Sequence, residues 1–218
     1  MIFDGRYTGT GFDHVPGGDE YANRSALSFH YYCNTFVPSY GSKPTMTKVV
    51  CDDIVKKLVF SSIAKELGTI GGSAVMTEGM ACDTSTPEKE QECQEVMTAL
   101  DQHLFSWTDY GVSQGAKWEP SPAQQAAWAR TFARATAGNP VNMTFDAATA
   151  AFEYCYDIDL SIEAPTEIFA SRKYYYTNGT AVRTTSNIEV VGSVSDTINV
   201  KAVDGSEGGI GCVWVERK

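Results

Sequence analysis

The apolar residues of this chain keep two different periods, and the switch between them divides it. Up to about residue 140, short apolar runs alternate with stretches whose apolar side chains recur every three or four residues, whereas from Phe145 onward they recur every second residue. Residues three and four apart share a face on a helix, and alternate residues share one on a strand. The first part therefore reads as strands alternating with helices, the pattern of a parallel sheet, and the second as short strands joined by Gly, Asn and Ser turns, the pattern of an antiparallel sandwich.

In the first part, Ser25 to Cys33, Gly71 to Gly79 and Leu104 to Tyr110 read as strands. Ile54, Val55, Leu58, Val59, Ile63 and Leu67 predict a helix over 52–67, stopped by Gly68. Thr86-Pro87-Glu88 supplies an N-cap, a proline at the first helical position and an early acid, so a second helix is expected to run to about His103. His103 itself is taken as structural. Ser121-Pro122-Ala123-Gln124 is a capping box, and the third helix is expected to continue through Trp128, Phe132 and Ala135 to Gly138, ahead of Pro140. The later strands are placed at Phe152 to Leu160, Tyr174 to Tyr176, Val182, Ile188 to Val191, Ile198 to Val200 and Cys212 to Val215, with Asn178-Gly179 as a hairpin turn. The fold class is α/β plus β, with about three β/α units over 1–140 and a β-sandwich domain over 141–218.

Seventeen Lys and Arg stand against 27 Asp and Glu in 218 residues, a net charge of −10. Binding to nucleic acid rests on clustered cations, so that class of partner is excluded. No apolar run reaches the ~20 residues of a membrane helix. Six cysteines, at 33, 51, 82, 93, 155 and 212, form no Cys-x-x-Cys pair, which argues against structural zinc and for disulfides. Short-range closure favours Cys33 with Cys51 and Cys82 with Cys93, leaving Cys155 for Cys212. Asn-x-Ser/Thr sequons at Asn23, Asn142 and Asn178 fit the same oxidising route, so the expected location is secreted or lysosomal and digestive. Met1 to Arg6 lacks the basic and apolar regions of a signal peptide, so the true amino terminus is expected to lie upstream of Met1.

Three successive strands end in His30-x-Tyr32, Thr77-Glu78 and Ser106-Trp107. The carboxyl ends of parallel strands are where such sheets bind ligands, although a lone glutamate there also serves as a helix cap or a lysine partner. His14 and Tyr21, in the turn-rich stretch 1–24, are further sugar-contact candidates, with a solvated loop as the plainer alternative. The aromatics of Tyr174 to Tyr176 could form a sugar platform or simply strand core.

Taken together, His30-Tyr31-Tyr32-Cys33, Gly71-Gly72, Met76-Thr77-Glu78, Cys82, Ser106-Trp107 and Ala164-Pro165-Thr166-Glu167-Ile168-Phe169 resemble the endoglycoceramidases of glycoside hydrolase family 5. The resemblance implies the carboxyl-terminal portion of a (β/α)8 TIM barrel followed by a sandwich, since a whole barrel needs about 250 residues. It implies hydrolysis, with retention, of the bond between an oligosaccharide and ceramide. Glu78 would be the nucleophile, Tyr32 its hydrogen-bond donor, His30 a neighbour of the proton donor and Trp107 a stacking surface for the sugar. No cofactor or metal is implied. The implied partners are a glycosphingolipid, with contact to membrane lipid through that substrate, and the missing amino-terminal half.

Two departures stand out. Gly79-Met80-Ala81 precede Cys82 where the family has Phe-Gly, and the Asn-Glu strand end that carries the family's acid/base glutamate is absent, the sequence containing no Asn-Glu dipeptide. General acid help is worth about 10² to 10⁴ in rate, so this chain alone is expected to be inactive on an unactivated glycolipid. A non-catalytic remnant that binds glycolipid or sugar is the alternative, and within enzymes a steryl or simple glucosyl lipid β-glucosidase.

Overall fold

The structure, a computed structural model, describes residues 11–31, 56–79, 82, 84, 86–109 and 119–218. The chain divides into two compact units, Met1–Ser121 and Pro122–Lys218.

In the first unit a 3-10 turn, Asp19–Arg24, leads into β1 (Ala26–Tyr31), followed by α1 (Lys56–Ile70), β2 (Ser73–Gly79), α2 (Pro87–Gln102) and β3 (Ser106–Trp107). The three strands form a parallel sheet in the order β1-β2-β3. Alternate residues Phe29, Tyr31, Ala74 and Met76 turn to one face of it, where they are buried with Val59, Phe60 and Ile63 of α1 and Val96 and Leu100 of α2. Each of the Phe, Val, Ile, Leu and Met side chains contributes about 1.5–3 kcal/mol relative to exposure. Phe60, fully buried, makes edge contacts with Phe29, Tyr31, Phe105 and His103 at ring separations of 5.3–6.2 Å. His103 stacks on Phe105 at 5.2 Å, and its partial burial holds its pKa below the ordinary histidine value.

The ends of both helices follow from local chemistry. α1 runs past Gly68, where the sequence suggested a stop, and terminates at Gly71, whose φ of +77° and hydrogen bond to the Leu67 carbonyl make a left-handed cap. Helical φ and ψ suit Gly68 well enough; the left-handed position is the one that needs glycine. α2 starts as expected, with the Thr86 hydroxyl accepting from the Lys89 amide and Pro87 next in line. It ends in a Schellman motif with Leu104 left-handed (φ +55°), Phe105 N bonded to the Leu100 carbonyl and Leu104 N to that of Asp101. That motif turns the chain straight back into β3.

The second unit opens with α3 (Pro122–Trp128) and continues with β4 (Phe132–Ala135), β5 (Gly138–Asp146), β6 (Ala151–Ile158), β7 (Thr166–Phe169), β8 (Thr180–Thr184), β9 (Ile188–Val194), β10 (Thr197–Ala202) and β11 (Gly209–Arg217). They make two antiparallel sheets, β4-β7-β10-β9 and β5-β6-β11-β8. One core takes Phe152, Tyr154, Tyr156, Val213 and Val215 from one sheet and Ile168, Ile188, Ile198 and Val200 from the other. Burial alternates along β6, β10 and β11 as strand periodicity demands.

Two expectations fail here. The helix predicted to reach Gly138 stops at Trp128, and Phe132–Ala135 instead pairs with β7, where Phe132 meets Phe169 (5.4 Å) and Arg134 binds Glu167 (2.6 Å). Apolar residues at 128, 132 and 135 fit a helix locally, but cross-strand partners far away in sequence override that preference. Consequently α3, β4 and the start of β5 belong to the second unit, and the chain divides after Ser121, short of the boundary at 140 that the sequence suggested.

Tyr174 to Tyr176 likewise form a turn and no strand, closed by the Tyr175 and Tyr176 amides on the Ser171 carbonyl. Their hydroxyls act as staples, Tyr174 to Gln125, Tyr175 to the Ala126 carbonyl and Tyr176 to the Ala150 carbonyl, at 2.7–2.9 Å. Tyr175 and Tyr176 are buried, which leaves no platform for a sugar.

Cys155 and Cys212 sit directly opposite each other on β6 and β11 and are disulfide-bonded, as are Cys82 and Cys93. Both pairings match the closure argument. Cys33 and Cys51 lie outside the described residues.

Candidate active site

The site is assembled where β1 and β2 end. The ladder pairs Phe29 with Met76 and then His30 with Glu78, so Thr77 is an extra residue, a bulge. Residues paired across a sheet point to the same side. Without the bulge His30 would face Thr77 and Glu78 would share the buried side with Tyr31; with it, both stand on the side away from the helices. His30 Nε2 lies 3.6 Å from Glu78 Oε2, an ion-pair distance, with 21% and 36% of the two side chains exposed.

The backbone around Glu78 is held from several directions. Thr108 donates its amide to the Met76 carbonyl (2.8 Å) and its hydroxyl to that of Thr77 (2.6 Å). Ser28 and Thr77 share a hydroxyl hydrogen bond of 2.6 Å. Past the strand, the Asp109 carboxylate accepts from the Cys82 amide at 3.2 Å, and the disulfide to Cys93 ties that residue to α2. Gly79 completes the set. A Cβ there would stand 2.5 Å from the Tyr31 carbonyl oxygen and 2.9 Å from Met76 Sδ, with φ at +157°. Glycine is thus what lets the chain lie down beside β1 immediately after Glu78.

Of the four predicted site residues, His30 and Glu78 are brought together. Tyr32 lies outside the described residues. Trp107 pairs with Met76 across β2 and β3 and packs, half-buried, against the same core cluster as Met76, which is the helix side of the sheet. His14 pairs with Asp13, and the Arg24 guanidinium covers the Tyr21 ring at 4.9 Å. Sequence reasoning named Thr77 only as the neighbour of Glu78, without its bulge, and missed Ser28, Thr108, Asp109 and the need for Gly79. Asp109, two residues beyond Trp107, was legible as a second carboxyl at a strand end. The bulge has no signature in a single sequence. Among the described residues no group of three or more His, Cys, Asp or Glu side chains is placed to hold a metal ion.

Chemically, the pair offers a half-exposed carboxylate with an imidazole beside it at the carboxyl end of a parallel sheet, suited to attack on, or charge stabilisation at, an electrophilic carbon. Residues 130–210, nearly all of the second unit, match the glycoside hydrolase family 5 C-terminal domain. Over 179 residues the chain is 27% identical to an endoglycoceramidase of Cyanea nozakii, covering 79% of this chain and 34% of that one. A Hydra vulgaris endoglycoceramidase is 27% identical over 197 residues, 85% and 34% of the two chains. The chain is similar to the carboxyl-terminal part of a family 5 endoglycoceramidase.

That similarity extends through the fold. Endo-glycoceramidase II from Rhodococcus sp., in its ganglioside GM3 complex, superposes over 88% of this chain and 42% of its own with a TM-score of 0.67 at 16% identity. Cryptococcus neoformans sterylglucosidase 1 superposes over 89% and 38% with a TM-score of 0.66 at 14% identity. The chain spans about a third of the length of the curated endoglycoceramidases it matches.

Proposed function

We propose that this chain is the nucleophile-bearing part of a retaining glycoside hydrolase acting on glycosphingolipids, its first unit a portion of a (β/α)8 barrel and its second a β-sandwich. The observation that carries the reading is the Glu78–His30 pair, turned by the bulge at Thr77 onto the side of the strand ends away from the helices. Glu78 attacks the anomeric carbon to form a glycosyl-enzyme ester, and water then releases the sugar with net retention. The resemblance assigns to Tyr32, outside the described residues, the role of hydrogen-bond donor that stabilises the carboxylate form. His30 stands beside the group that protonates the ceramide oxygen. The resemblance assigns Trp107 to stacking on the sugar, whereas its packing against the helix-side core favours a structural role.

Retention needs a second carboxyl about 5–5.5 Å from the first, and the resemblance places it on an Asn-Glu strand end that this sequence lacks. That glutamate comes from the rest of the protein. Glycosphingolipid is preferred over a steryl glucoside because the sequence similarity, at 27%, is to endoglycoceramidases, whereas the likeness to a sterylglucosidase is one of fold. The two disulfides and the exposed sequon residues Asn23 and Asn178 favour a secretory compartment.

The test is release of free oligosaccharide from a ganglioside. The 218-residue chain alone should release none, and co-expression with an amino-terminal half from a related enzyme should restore release. Glu78→Gln in the restored enzyme should then cost on the order of 10³-fold or more. Restored release that survives Glu78→Gln removes the nucleophile assignment. Ganglioside binding without turnover in the restored pair favours the non-catalytic alternative.

A further inference from the structure

The second unit has a feature that the hydrolytic site does not use. β8 and β9 follow one another in the chain yet lie in different sheets, each at an edge. The crossover between them is pinned: Thr185 Oγ1 donates to Asn187 Oδ1 at 2.6 Å, and Asn187 Nδ2 donates to the Gly208 and Ile210 carbonyls at 3.1 Å. Between the two edges opens a cleft of about 750 Å³, with Arg172, Lys218, Ser193, Thr177 and Thr180 among its polar walls and Val190 among its apolar ones. Among the described residues no acidic side chain lines it.

In a chain with ten more acids than bases, this concentration of cations calls for a reason. The other cations of the unit are mostly engaged. Arg134 and Arg183 pair with Glu167 and Glu216, Arg130 and Arg217 donate to carbonyl oxygens, and Lys173 lies over the Tyr174 ring. Arg172 and Lys218 have no carboxylate partner within ion-pair distance among the described residues. Both are nevertheless held in place. The Arg172 amide donates to Asp196 Oδ1 at 2.9 Å, and one guanidinium nitrogen donates to Ser193 Oγ at 3.1 Å, which leaves the rest of the fork facing the cleft. Lys218 donates its amide to the Gly179 carbonyl, and its Cδ lies against Gly179.

We propose that this cleft binds a compact anion, a carboxylate or phosphate carried on a sugar or lipid headgroup. A guanidinium fork and an ammonium on one concave surface match such an oxyanion, and the nearby hydroxyls and Val190 suit the polar edge and apolar face of the unit that carries it. The volume fits one or two headgroup-sized rings. The site is independent of Glu78 and stands whether or not the chain is part of a hydrolase.

The experiment uses the intact 218-residue chain with two probes. One is glucuronate, with glucose as the neutral control; the other is phosphatidylcholine vesicles with and without phosphatidylserine. Arg172→Gln and Lys218→Gln are each compared with Lys201→Gln, which removes the same charge from an exposed position outside the cleft. Binding of glucuronate but not glucose, weakened about tenfold or more by either cleft variant and less than twofold by Lys201→Gln, assigns the site to a soluble acidic sugar. The same pattern on phosphatidylserine vesicles alone assigns it to an anionic lipid surface. Absence of binding to both probes, or equal loss in all three variants, overturns the proposal. Glu78→Gln should leave the affinity unchanged, and a loss there would place the anion elsewhere.

Discussion

His30 and Glu78 are opposite one another across β1 and β2 because the ladder skips Thr77, and the next residue, Gly79, lies so close to β1 that a Cβ would come within 2.5 Å of the Tyr31 carbonyl. The bulge and the glycine form one device. Glycine at position 79 thereby has a local reason, since a larger residue would push the strand end, and Glu78 with it, away from His30.

Gly79→Ala should therefore destabilise the first unit by about 1–3 kcal/mol. Gly68→Ala should act in the opposite sense: the added methyl meets nothing within 4 Å inside α1, and alanine is the better helix former by about 0.5–1 kcal/mol. Native-state hydrogen exchange at the β2 and α1 amides measures both. Equal effects of the two substitutions would contradict the packing described at Gly79.

Phe60→Ala should cost about 3–5 kcal/mol, because the ring is fully buried and in edge contact with Phe29, Tyr31, His103 and Phe105. Leu58→Ala, two residues away and 63% exposed, should change stability by less than about 0.5 kcal/mol. Urea denaturation of the pair separates the buried face of α1 from its exposed one.

The two units should fail at opposite ends of the pH scale. Burial pushes the Tyr154 and Tyr176 hydroxyls up to about 12, so the neutral phenol is the form the fold favours. Their contribution is complete below the unfolded value near 10 and declines as pH rises from there through about 12. His103, held low by burial, works the other way: its contribution is complete above the unfolded value of 6.5 and declines as pH falls below it. Thermal melts across pH, with tyrosinate absorbance marking the alkaline step, should show the second unit lost at high pH while acid weakens the first.

The strands and helices before Ser121 were legible in the sequence because their signals are local: Thr86 and Pro87 begin α2 where expected, and the apolar period of α1 is unambiguous. His30 and Glu78 were legible as residues at the ends of successive strands, with Tyr32 as the expected partner of Glu78; the pairing of His30 with Glu78 depends on the bulge at Thr77. What could not be read depends on distant partners. Phe132 becomes a strand residue through Phe169, and Tyr175 and Tyr176 become buried staples through Ala126 and Ala150. Trp107 was read from its position at a strand end, but its register with Met76 sets its ring toward the core, and a sequence carries no register.

Removing the Cys155–Cys212 bond should cost the second unit about 4 kcal/mol and removing Cys82–Cys93 about 3 kcal/mol in the first, from the loop lengths they close, 57 and 11 residues. Paired Cys→Ala replacements followed by denaturant melts measure each. A larger effect from the short loop would show that native contacts around Cys82 and Asp109, and not chain entropy, dominate.

The Cys155–Cys212 bond joins the two central strands of one sheet, and the segment it encloses carries β7, β9 and β10, three strands of the other. A pulling force applied between α3 and the end of β11 therefore runs through β6, the sulfurs and β11 and bypasses everything between. At ~3.3–3.6 Å per extended residue, about 190–205 Å of contour is withheld from any machine that threads the oxidised chain, be it a translocase or a protease. Reduction releases that length at once, so the same molecule is a short tether when oxidised and a long one when reduced.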